Sequence, residues 1–299
     1  MDSPSHIGEN MSIPESPYPV YNEPLVMEGD ALVLPDPEFP FHHAGFINRV
    51  LDLADAWGVK QCVIAGDALH FASLSRWEAD WIKASKDGLT PEAREKLLEA
   101  AYALKGKARS AMVERINEIG EKEEQGGGVA AEVRQAQKAM VSLAQQFTRI
   151  DYVIGNHDAR FLKTLDSSLF AEELLKFIDL RDTKWRIAPY YYSVLVSGGK
   201  KFRIEHPKSA AQGTAERLAS IHLCNIIMGH SHLWGHTMDL SGQYHAIHAG
   251  HACDERRMPY AAQRSSSSKV HPLGAVIVRD GWPWLLGENS PWWTLRQER

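Results

Sequence analysis

The sequence has few cysteines: Cys62, Cys224 and Cys253 are the only three in 299 residues. Three thiols cannot form a complete disulfide set, and no Cys-x-x-Cys pair is present. They are therefore expected to be reduced, mostly buried thiols in a reducing compartment. Long apolar runs are also lacking, which excludes a helical membrane span. Residues 1–30 show neither the basic start nor the apolar stretch of a signal peptide, so the expectation is a soluble, cytoplasmic protein without a membrane partner. An excess of positive charge is missing too. With 33 Lys+Arg against 38 Asp+Glu, the formal charge is −5. Nucleic-acid binding through bulk charge is excluded, and any phosphate-bearing partner must be held locally.

What the sequence does have is histidine. There are 14 copies, and nine of them fall between His206 and His271. A dispersed surplus of this kind points to metal ligation or to acid–base work. The 44% hydrophobic content is ordinary for a chain able to bury a sizeable core. Length alone suggests about two domains.

Residues 1–30, rich in proline, are expected to form an extended arm. Ala31–Leu34 reads as a buried strand and Phe46–Trp57 as an amphipathic helix stopped at Gly58. Gln61–Ala65 reads as a second strand, completing a parallel βαβ unit. Residues 90–149 read as two antiparallel helices joined at Gly126-Gly127-Gly128, a packing element, an oligomer contact or a lid. Strands are expected at Arg149–Ile154, Tyr190–Val196, Lys201–Ile204, Cys224–Met228, Gln243–Ala249 and Gly274–Arg279. Helices are expected at Phe161–Phe177 and Ala210–Ile221.

Polar clusters follow directly on several of these strands: Asp36-Pro-Glu38, Gly66-Asp67, Gly155-Asn156-His157-Asp158, His206 and Gly229-His230-Ser231-His232. Ligand sites in open α/β sheets gather at the carboxyl ends of strands, so these clusters are expected to meet. Asp36, Glu38, Asp67, Asn156, His206, His230 and His232 form an oxygen-plus-nitrogen set suited to borderline divalent ions. Seven such residues are about the number that two neighbouring ions need. Glycine before Asp67, Asn156 and His230 lets each strand end in a sharp turn.

In this order and combination the motifs resemble those of the calcineurin-like metallophosphoesterase superfamily, over residues 31–253. The resemblance implies an α/β/β/α sandwich of two mixed sheets flanked by helices, forming one domain over residues 31–299 with the 90–149 hairpin as an insertion. It implies two divalent cations, Mn²⁺ first, with Zn²⁺, Fe and Ni²⁺ as alternatives. Asp36, Glu38, Asp67 and His232 would hold one ion. Asp67, Asn156, His206 and His230 would hold the other, with Asp67 as the bridge. A hydroxide shared by the ions would attack phosphorus in line, His157 would protonate the leaving oxygen, and Asp158 would orient or charge His157. The sequence departs from the family at Glu38, where the pattern has histidine. A carboxylate there adds negative charge beside the metals.

Outside the core motifs, His70 is a candidate for substrate contact or for support of Asp67, and Arg160 for substrate contact as a phosphate clamp. His236, His245, His248 and His251 are candidates for support of the ligands. The pattern of the serine/threonine phosphatase branch, Gly-Asp-x-Val-Asp-Arg-Gly, is replaced by Gly66-Asp67-Ala-Leu-His70. A phosphodiesterase or nuclease acting on a nucleic acid or nucleotide is therefore favoured over a phosphomonoesterase. A weaker likeness is to uncharacterised phage and prophage members. The competing reading is a binding or scaffold protein that keeps the fold without turnover, to which Glu38 lends the most support.

Overall fold

A computed structural model of the chain describes residues 23–71, 129–165, 175, 178, 180, 184–188, 190–258 and 271–298. The βαβ unit forms as its patterning predicts. Strand β1 is Val26–Glu28, β2 is Ala31–Leu34, helix α1 is Ala44–Ala56 and β3 is Gln61–Ala65. Helix α1 is capped by Nδ1 of His43, which accepts the Phe46 N–H at 3.1 Å. Its buried residues Phe46, Ile47, Val50, Leu53 and Ala54 recur at three- and four-residue spacing, so one stripe faces the sheet. The chain leaves the helix through Gly58, whose φ of 71° a glycine adopts without steric cost.

Helix α2 (Val129–Gln146) lies where the second helix of the expected hairpin falls, while residues 90–128, its first helix and turn, lie outside the described residues. Strand β4 (Arg149–Val153) follows, then helix α3 (Asn156–Leu165). This helix starts five residues earlier than Phe161 predicts. The Gly155 carbonyl accepts the Ala159 N–H at 3.0 Å, so the Asn-His-Asp cluster forms the first helical turn itself. Further along are β5 (Trp185–Ile187), β6 (Tyr192–Ser197), β7 (Lys200–Glu205), α4 (Thr214–His222) and β8 (Asn225–Met228). Strands β9 (Trp234–Met238), β10 (His245–Ala249), β11 (Gly274–Arg279) and β12 (Trp282–Gly287) and helix α5 (Trp292–Leu295) complete the described fold.

The strands form two mixed six-stranded sheets, ordered β1-β6-β7-β8-β10-β9 and β12-β11-β2-β3-β4-β5. Within the second, β2, β3, β4 and β5 run parallel; within the first, β7, β8 and β10 do. The sheets pack face to face over Val33, Val63, Ala65 and Val153 from one and Leu195, Phe202, Ile204, Ile227 and Ile247 from the other. Helices α1 and α2 cover the outer face of the second sheet, and α4 covers that of the first. The result is an α/β fold whose two sheets share a core.

The proline-rich arm is not wholly an arm. Val26–Glu28 pairs in parallel with β6 and extends the first sheet. Residues 1–22 lie outside the described residues. No helix among the described residues is long and apolar enough to cross a membrane.

Candidate metal centre

The carboxyl ends of β2, β3 and β4 in one sheet, and of β7 and β8 in the other, lie at one edge of the sandwich. Each carries one of the polar clusters, and the parallel arrangement is what brings them together. All seven expected ligands form a single connected group. Asp36 Oδ1 is 3.8 Å from Nδ1 of His206 and 3.7 Å from Nε2 of His232. Both Asp36 oxygens accept the His230 N–H, at 3.1 and 3.0 Å. Glu38 Oε1 lies 3.6 Å from Nε2 of His232. Asp67 Oδ2 lies 3.3 Å from Nε2 of His206, and that same nitrogen is 3.0 Å from Oδ1 of Asn156. Ligand atoms of Asp67, His206 and His230 all fall within 4.8 Å of one another.

The backbone is strained where it delivers these groups. Asp36, Glu38, Asp67, His230 and His232 all have φ between 42° and 70°, the left-handed region that side chains disfavour. They are five of eight such non-glycine residues among the described residues, so the strain is concentrated at the cluster. Glycines make the close approach possible. A Cβ on Gly155 would sit 2.0 Å from Oδ1 of Asp67, one on Gly66 would sit 2.0 Å from Nδ1 of His206, and one on Gly229 would sit 2.5 Å from Oδ2 of Asp36.

The donor set fits divalent cations. His206 donates Nδ1–H to the Ala65 carbonyl at 3.0 Å, which leaves Nε2 as a lone pair in the neutral ring. That lone pair faces oxygens of Asn156 and Asp67, so three acceptors converge on one spot. A proton or a cation must lie among them. His232 repeats the device: Nδ1 donates to Oε1 of Glu255 at 3.0 Å, and Nε2 faces Asp36 and Glu38. Bonds of about 2.0–2.2 Å to one ion put neighbouring ligand atoms roughly 3–3.6 Å apart, close to the separations seen here.

Charge points the same way. Asp36, Glu38 and Asp67 are almost fully buried beside one another. Burial pushes the Asp36 carboxyl up to about 7 despite His206 and His232. Burial also opposes ionisation of Asp67, but His206 and His157 outweigh it and hold this carboxyl below its ordinary value. Burial opposes protonation of His206, and Asp67 more than compensates, raising it to about 10. Without a metal, the carboxylates draw their counter-charge from histidines.

His157 stands at the rim, half-buried, between two carboxylates. Its N–H donates to Asp67 Oδ1 at 2.8 Å, its Nδ1 lies 3.3 Å from Glu38 Oε2, and its Nε2 lies 4.0 Å from Asp67 Oδ2. Asn156 beside it is exposed, which opens the cluster to solvent on this side. Burial lowers the affinity of His157 for a proton, but Asp67 and Glu38 prevail and the net shift is upward.

Two expectations need correcting. Asp158 does not orient His157: it is fully buried, and its oxygens accept the N–H groups of Leu69 at 2.9 Å and Gly155 at 2.8 Å. It braces the β3 and β4 loops against each other. Of the two roles open to His70, the structure favours support over substrate contact, with Glu38 rather than Asp67 as the partner: it is 1% exposed and donates Nδ1–H to Oε2 of Glu38. Arg160 lies half-buried on α3, four residues past Asn156.

No family model matches the chain, and no curated protein matches its sequence.

No motif or spacing points to Glu255, whose Oε1 accepts from His232 and also from Nδ1 of His271 at 2.9 Å. It lies 23 residues beyond His232 in the short 3₁₀ turn Glu255–Arg257, and no spacing rule joins them. Of the four supporting histidines expected, His251 stacks on His232 with ring centroids 4.7 Å apart. His248 bonds Ser231, at 3.0 Å. His236 and His245 instead bond each other, at 2.9 Å, beside Trp282.

Proposed function

We propose that the chain is a two-metal phosphoesterase of the calcineurin-like metallophosphoesterase type, acting on a phosphodiester such as a nucleic acid or nucleotide. The observation that carries this reading is the convergence of Asp36, Glu38, Asp67, Asn156, His206, His230 and His232 on one edge, with both Nε2 lone pairs turned inward. The two stacked mixed sheets with helices on both outer faces agree with the sandwich of that superfamily.

Asp36, Glu38 and His232 would hold one cation, and Asn156, His206 and His230 the other. Asp67, grouped with His206 and His230, would bridge the two ions as the resemblance implies. Two divalent cations here, Mn²⁺ foremost, would supply about +4 of charge and Lewis acidity, lowering the pKa of water and neutralising phosphate. The protein's own part is positional. His206 and His232 are fixed as Nδ1–H tautomers. Glu38 and Asp67 flank His157, which lies at the solvent-facing rim where a leaving oxygen would depart and is the proton donor to it. Glu38, 3.3 Å from Nδ1 of His157, would take the place that the resemblance gives to Asp158.

The test is hydrolysis of bis-p-nitrophenyl phosphate by the full chain with Mn²⁺, alongside elemental analysis of bound metal. Hydrolysis that disappears with chelator and returns with Mn²⁺ is the expected result. Asp67→Ala is expected to lose both metal and turnover. Bound metal without hydrolysis of any mono- or diester probe would leave a scaffold and overturn the enzymatic reading.

A further inference from the structure

The turn that carries His230 and His232 is held from behind by side chains outside the metal cluster. Ser231 lies between the two histidines but turns away, and it is buried. Its Oγ is 3.0 Å from Nδ1 of His248 on β10 and accepts the Leu233 N–H at 3.3 Å. On the far side of the same imidazole, Nε2 lies 3.6 Å from Oε2 of Glu216 on α4. Both of those atoms are buried, and neither has a hydrogen-bond partner among the described residues. The other Glu216 oxygen accepts from Oγ1 of Thr237 on β9 at 2.8 Å.

The Glu216 carboxylate sets the direction of this chain, because the His248 nitrogen that faces it, Nε2, is the one that carries the proton. Nδ1 is then the acceptor, and the Ser231 hydroxyl donates to it while Oγ accepts the Leu233 N–H. A buried Nε2–H and a buried carboxylate oxygen have no better partner than each other. The arrangement links helix α4, strand β10 and the metal turn through three side chains.

Resting on the metal-centre reading above, we infer that Glu216 and His248 are positioning residues for the metal site: through Ser231 they hold the strained turn from which His230 and His232 reach the cations. The turn needs such a hold. His230 and His232 have φ of 70° and 54°. The bond from Ser231 N–H to the Gly229 carbonyl, at 2.8 Å, spans only this tight corner. Without a side-chain anchor at Ser231, either histidine can relax toward ordinary backbone and swing its ring away from its ion.

The experiment is Mn²⁺ titration by calorimetry of the full chain and of Ser231→Ala, His248→Gln and Glu216→Gln, with the unfolding midpoint of each metal-free protein measured beside it. Ser231→Ala removes one oxygen and Glu216→Gln keeps the side-chain shape, so these two remain informative if His248→Gln misfolds. The expected result is Mn²⁺ affinity weakened about tenfold or more in all three, the lower end of what loss of an outer partner costs a metal site. The metal-free midpoints of Ser231→Ala and Glu216→Gln should stay within a few degrees of the parent. Unchanged affinity in those two variants, whatever their midpoints, would overturn the positioning role while leaving the metal centre intact. Failure of the parent protein to bind Mn²⁺ would overturn the metal centre and this role with it.

Discussion

Glu38 and His157 meet through Oε2 and Nδ1, 3.3 Å apart, although the sequence pattern pairs His157 with its own neighbour Asp158. The contact makes Glu38 bifunctional. One oxygen faces His232 in the candidate metal site, and the other faces the rim histidine.

His157→Ala is expected to lower turnover by roughly 10²–10⁴-fold while metal content stays at the parent level. Glu38→Gln should lower turnover and also weaken metal binding, since it alters both contacts. Because the two residues share one interaction, the double variant should lose less than the product of the single losses. Fully multiplicative losses in steady-state kinetics would contradict the pairing.

Gly155→Ala and Gly235→Ala form a matched pair. The first places a methyl group 2.0 Å from Oδ1 of Asp67; the second meets nothing within 4 Å. Gly155→Ala should lose Mn²⁺ binding and unfold at lower temperature. Gly235→Ala should resemble the parent in both. Equal behaviour of the two would mean that the close approach at Asp67 is not needed.

Glu255→Gln removes the charge that fixes His232 and His271 while keeping the side-chain shape. Mn²⁺ affinity should fall about 10- to 100-fold. The loss should appear in calorimetric titration and be absent from the far-ultraviolet spectrum. An unchanged affinity would assign Glu255 to loop packing alone.

The His236–His245 pair makes stability pH-dependent away from the metal cluster. Burial, then His236 and Lys200, press the His245 imidazole down to about 4. The unfolded chain takes up this proton at about 6.5. Between those values the unfolded state binds more protons, so the stability His245 contributes is present above pH 6.5 and is lost as pH falls toward 4. Urea midpoints measured from pH 7 to pH 4.5 should fall less steeply for His245→Phe than for the parent. Parallel slopes would rule the pair out as a source of acid sensitivity.

Much of this was legible in the sequence, and what was missed has a common cause. The apolar runs at Ala31–Leu34, Gln61–Ala65, Arg149–Val153, Asn225–Met228 and His245–Ala249 announce strands because those strands are buried on both faces. The four strands that escaped notice, β1, β5, β9 and β12, are the four edges of the two sheets. Edges need less apolar sequence: β9 reads Trp-Gly-His-Thr-Met, and β12 tolerates Pro283. At the site, residues that directly follow strands were recognisable because position and chemistry coincide. Glu255, Glu216 and the corrected role of Asp158 were not, because partners across 20 or more residues obey no spacing rule.

The three motif glycines have a consequence that no single motif reveals. Gly66 lies against His206, Gly155 against Asp67, and Gly229 against Asp36, so each motif's glycine makes room for a ligand supplied by another. The motifs are thus mutually dependent. A side chain at any one of the three positions would therefore displace a residue that belongs to a different motif.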